Sequence, residues 1–117
     1  MDNPELIYKI ASHEVAEASR AAGTFNGMPV DTADGYLHFS TATQLAETLR
    51  LHFKGQGDLV LMAVRTADLG DDLRWEPSRG GALFPHLYGR LSMSAVVREA
   101  TVAVDSDGNC PLPEWVR

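Results

Sequence analysis

The chain has a single cysteine, Cys110, among its 117 residues. That excludes an internal disulfide and any cysteine-built metal centre. Aromatic residues make up 8% of it, and bases are outnumbered, 10 Lys and Arg against 16 Asp and Glu, for a formal charge of -6. A chain so poor in clustered base does not carry the broad positive footprint of a nucleic-acid surface. One or two arginines still suffice for a small phosphate-bearing ligand. No apolar run approaches the ~18 residues of a membrane span. The acidic start, Met1 to Glu5, has no basic n-region or apolar h-region, so no signal peptide is read and a cytoplasmic setting is expected.

What is present fits an ordinary globular protein, with hydrophobic content of 44% and charged content of 22%. The expectation is one domain over residues 1–117, with an irregular tail from about residue 105. Leu6 to Ala11 alternates as a strand. Ser12 is a fitting N-cap for a helix over His13 to Ala22 that stops at Gly23. Its apolar face of Val15, Ala18 and Ala22 is thin, which predicts a surface helix. Thr24 to Ala33 reads as a loop ending in an Asp34-Gly35 turn. Leu59 to Val64 is a continuous apolar run, the pattern of a strand buried on both faces. Later come a short strand over 73–77, a Gly80-Gly81 loop, a loop of fixed shape over 85–89, a helical turn near 92–96 and a strand over 97–104. Trp115 is expected to pin the proline-rich tail. The fold class is α+β, with two main helices against a mostly antiparallel or mixed sheet.

The stretch from Asp34 to Thr41 carries the strongest site signal. Leu37 and Phe39 alternate with Tyr36 and His38, so the apolar pair faces the core and the rings face a cleft or solvent. Thr41 and Gln44 form a capping box that opens the next helix. His38 is the first candidate, as a ligand-facing ring or an acid or base near neutral pH; a half-buried structural histidine is as good a reading of it. Arg74 and Glu76, with Arg79 before Gly80-Gly81, form a second constellation suited to phosphate or carboxylate, and equally to a solvated loop. His86 and Tyr88 form a third. His38, His86 and Glu76 also make a two-histidine, one-carboxylate set of the kind that binds iron, but no short-range ligand spacing supports a metal. His13 and His52 read as surface or boundary residues on helices. Ser40 and Thr41 lack the elbow of a serine nucleophile, Cys110 has no basic neighbour, and Gly55-x-Gly57 is too short for a phosphate loop.

Three blocks together resemble a family. They are Ile7-Tyr8-Lys9-Ile10; the run from Asp34 through Thr41 into Gln44-Leu45-Ala46-Glu47-Thr48-Leu49; and Leu73 to Pro77 with Leu83 to Gly89. They are similar to the bacterial domain of unknown function 952 family. That family is thought to be a distant relative of the ADP-ribosyltransferase fold, which implies a bent or split β-sheet with NAD in its cleft. The resemblance implies that the segment around His38, with Ser40 and Thr41 following, matches the position whose ring meets nicotinamide. Lys9 stands where many members carry a histidine that would hold the ribose. No residue matches the catalytic glutamate outright, so Glu76 or His86 would take its place. The expected site therefore has His38, Glu76 and His86 as catalytic candidates and Lys9, Tyr36, Ser40, Arg74, Arg79 and Tyr88 as ligand-binding ones. NAD or a related nucleotide is the expected ligand, with ADP-ribosyl or glycosyl-bond chemistry. The alternative is a ligand-binding or protein-interaction module without a catalytic acid.

Overall fold

The computed structural model describes residues 4–116, leaving out the side chain of Arg79. Strand β1 spans Leu6–Ser12 and buries its central residues on both faces. Ser12 ends it and caps helix α1, His13–Ala22, its hydroxyl accepting from the Val15 amide at 3.2 Å. Gly23 closes the helix at φ 81°, the left-handed region that glycine enters without penalty. The buried stripe of α1 is Ala16 and Ser19; Ala18 and Ala22, expected on the apolar face, are exposed. Small residues at i and i+3 let this short helix lie close against the strands.

The stretch expected to be a loop folds. β2 is Thr24–Phe25, and helix α2 spans Pro29–Asp34. Pro29 occupies the first turn, where a missing N–H costs nothing, and Asp31 accepts from the Met28 amide at 2.7 Å. Gly35, at φ 87°, ends it, so the Asp34-Gly35 turn is a helix terminus. Proline and glycine here marked the two ends of a helix.

β3 is only Leu37–His38, with Leu37 and Phe39 buried and Tyr36 and His38 half-buried. α3, Ala42–His52, starts at the expected capping box: Thr41 Oγ1 accepts from the Gln44 amide and Gln44 Oε1 from the Thr41 amide. β4, Leu59–Arg65, is buried over its first six residues. After two 3-10 turns come β5, Leu73–Pro77, and β6, Leu83–Leu87. The expected loop over 85–89 is thus corrected: its first half is strand. Pro85 is tolerated in the middle strand because β3 pairs with β6 only at Leu37 and His38, and beyond them the Pro85 carbonyl needs only the Phe39 amide. β7, Leu91–Ser92, leads through a 3-10 turn into β8, Val96–Val102.

The strands form three sheets ordered β1-β4-β8, β2-β7 and β3-β6-β5. The sheet is split as expected, and every strand pairing among the described residues is antiparallel, within the expected antiparallel or mixed arrangement. A lone bridge joins the first and third sheets: the Tyr8 amide donates to the Ser40 carbonyl at 2.8 Å, and the Ser40 amide to the Tyr8 carbonyl at 2.9 Å. Alternation splits the core in two. Ile7, Val60, Met62 and Val64 pack with Phe25, Leu37, Phe39 and Leu91 on one face. Tyr8, Ile10, Leu59 and Leu61 pack with Leu45 and Leu49 of α3 on the other. Trp115 stacks on Tyr8 with ring centroids 6.4 Å apart, tying down the tail. No helix among the described residues is long and apolar enough to cross a membrane.

Candidate functional site

The third sheet builds the site by register. His38 on β3 pairs with His86 on β6, and His86 pairs with Arg74 on β5. Paired residues point to one face, so the two imidazoles stand edge to face with centroids 5.5 Å apart. Tyr36 wedges against both, at 4.7 Å from His38 and 4.3 Å from His86, and lies 5.0 Å from Tyr88. The Arg74 guanidinium sits 4.7 Å over the Tyr88 ring. Glu76 Oε1 accepts from the Tyr88 hydroxyl at 2.7 Å and lies 2.8 Å from His86 Nδ1. Three segments distant in sequence thus converge on one cluster.

Beneath His38 lies a carboxylate that sequence reasoning missed. Asp31 is almost fully buried, and α2 aims it at β1 and β3. It receives the Lys9 ammonium at 2.7–2.8 Å, the His38 amide at 2.9 Å, and His38 Nδ1 at 2.6 Å. Burial pushes its carboxyl up, but the hydrogen bonds from His38 and the charge of Lys9 outweigh that and hold it at about 2. Lys9 is itself buried, which pushes its ammonium below the usual lysine range; Asp31 offsets part of this. The ammonium also donates to the His38 carbonyl at 2.9 Å, so Lys9 braces β3 from below. The other ring nitrogen of His38 lies 2.9 Å from Asp34 at the end of α2. Only a doubly protonated imidazole donates to both carboxylates at once. The signal that marks Asp31 in the sequence is its place two residues after Pro29, an acid in the first turn of a proline-started helix.

A cavity of about 540 Å³ opens beside these groups. Its polar lining includes Lys9, Asp34, His38, Ser40, His52 and His86, and Ile10, Met28, Val30, Phe39, Phe53 and Phe84 contribute apolar wall. Ser40 Oγ is 2.9 Å from Thr48 Oγ1. His52, exposed at the end of α3 as a surface or boundary residue, borders this space. Tyr36, Arg74, Glu76 and Tyr88 do not line it; they stand behind the two imidazoles and hold them. Glu76 is pulled below the ordinary glutamate range by its hydrogen bonds from Tyr88 and His86, and the same bond raises Tyr88. The Arg79 side chain lies outside the described residues. Among those described, no group of three or more His, Cys, Asp or Glu side chains is placed to hold a metal, and Glu76 takes up His86 Nδ1.

Residues 10–99 match the family model described as protein of unknown function DUF952. The chain belongs to this family. No curated protein matches it. Among solved structures, the DUF952 chain is similar to protein CC0527 from Caulobacter crescentus. The crystal structure of that protein is 51% identical over 92% of this chain and 94% of that one, with a TM-score of 0.87. The solution structure of the same protein is 51% identical over 91% of each chain, with a TM-score of 0.80. The DUF952 match takes in the whole cluster from Asp31 to Tyr88 and begins one residue after Lys9.

Proposed function

We propose that this protein binds NAD or a related nucleotide in the cavity beside His38 and His86 and acts at the glycosyl bond of its ribose. The observation that carries this is the convergence of two carboxylate-held imidazoles on one cavity of about 540 Å³. That volume is in the range of small-molecule sites, as is the mix of apolar wall and few polar groups. In this reading the apolar wall takes a flat ring, and His38, with Ser40, positions the ribose. His86 activates the acceptor, with Glu76 orienting it from behind. Arg74, which does not line the cavity, stays over the Tyr88 ring behind the imidazoles. A split sheet with its cleft between the halves is what an ADP-ribosyltransferase-like fold would require, and a cytoplasmic setting supplies such nucleotides.

A second reading is a ligand-binding module without catalysis. It is favoured by one observation: the carboxylate lining the cavity among the described residues is Asp34, already facing His38. Thermal shift with NAD and ADP-ribose tests binding; ligand at 100 times its dissociation constant adds about 2.7 kcal/mol. NAD turnover by the wild type and His86→Gln separates the two readings. No shift with either compound abandons the nucleotide ligand.

A further inference from the structure

We propose that His38 and His86 form a proton donor and acceptor pair that hydrolyses the N-glycosidic bond of a neutral nucleoside. This rests on the reading that the cavity takes a nucleoside-bearing ligand, and it narrows the ligand's class.

The two rings are alike in their support and opposite in what they offer. Each presents Nδ1 to a carboxylate, His38 to Asp31 at 2.6 Å and His86 to Glu76 at 2.8 Å. His38 has a second carboxylate, Asp34, 2.9 Å from its Nε2, which places that nitrogen as a donor. His86 Nε2 has no hydrogen-bond partner among the described residues, and His86 borders the cavity. In the tautomer that donates from Nδ1 to Glu76, Nε2 is the acceptor. One imidazole able to give a proton, beside another able to take one, is the arrangement that general acid–base catalysis needs.

The pair also says which bond. Nicotinamide leaves NAD uncharged without receiving a proton, so a donor there has nothing to do. An ordinary nucleobase leaves as an anion unless it is protonated. In the step, water attacks C1′ of the ribose and the C1′–N bond breaks. The water proton passes to His86 Nε2, and the His38 Nε2 proton passes to the departing base nitrogen. Asp34, half-exposed at 46%, gives up its contact with His38 as the base docks. The products are ribose and free base, and proton exchange with solvent resets both rings.

The test uses the full chain with adenosine, inosine and uridine, following free base by chromatography and binding by thermal shift. The expected result is base release, with kcat lowered about 10²- to 10⁴-fold in His38→Gln and in His86→Gln. Glu76→Gln keeps the buried ring and lowers kcat with KM unchanged, which guards against a folding defect in His86→Gln. Binding of nucleosides without base release overturns the acid–base pair and leaves the nucleotide-binding reading standing. Cleavage of NAD but not of nucleosides, undiminished in His38→Gln, also overturns it alone. No shift with nucleosides, NAD or ADP-ribose removes both.

Discussion

Replacing Asp31 by Asn leaves the Lys9 ammonium buried with no counter-charge. Lys9 is 4% exposed and Asp31 1%, so solvent does little to screen the loss. Removing one partner of a buried ion pair costs about 3–5 kcal/mol. A domain of this size has a total stability of about 5–15 kcal/mol, so a large share of it goes. The asparagine also turns an amide N–H₂ toward donors, since the carboxylate accepts from Lys9, the Met28 amide, and both the amide and ring of His38. At about 3–5 °C per kcal/mol, the melting temperature falls by about 10–25 °C. Calorimetry on wild type, Asp31→Asn, Lys9→Met and the double variant measures this. The double variant should be less damaged than the two single losses added together, because it removes the orphaned charge along with its partner. A drop below about 3 °C for Asp31→Asn, or strict additivity in the cycle, would refute the reasoning.

Acid stability follows from the same group. The folded Asp31 carboxyl titrates at about 2 against an ordinary 3.8, so it contributes about 2–3 kcal/mol that is complete above about pH 4 and lost as pH falls through about 2. Urea midpoints from pH 6 to 2 should converge for wild type and Asp31→Asn at the acid end; a constant gap between them contradicts this. Gly27→Ala should destabilise by about 1–3 kcal/mol, because φ is +120° and an added Cβ meets Asp31 Cβ at 2.9 Å and Leu37 Cδ2 at 3.0 Å; an unchanged melting temperature speaks against it. Thr41→Ala should lose about 1 kcal/mol through the α3 cap, read by denaturant titration with the slope unchanged.

Local signals were the ones legible in the sequence. Ser12, Gly23 and the Thr41–Gln44 box mark helix ends by backbone chemistry that needs no tertiary context, and all lie where expected. The apolar run of β4 announces a strand covered on both sides. The segment 24–34 misled because Gly27, Pro29 and the following Gly35 read as breakers, while the six-residue helix between Pro29 and Gly35 is held by Asp31 reaching across to Lys9 and His38. That pairing spans 22 residues in sequence and leaves no periodic trace. The alternation around His38 pointed its ring toward a cleft, and the cavity borders it. Which side chains line that cavity and which stand behind it is set by register between β3, β6 and β5, and pairing partners are not written in any one strand.

The rung between Tyr8 and Ser40 helps to hold the walls of the cavity together. Both residues border it, and both use amide and carbonyl in that rung. Lys9 reaches the His38 carbonyl just below it, and Ile7 shares a core with Leu37 and Phe39, so the rung is one tie among several. Proline at position 8 or 40 would remove this tie and leave the ladder within each sheet intact.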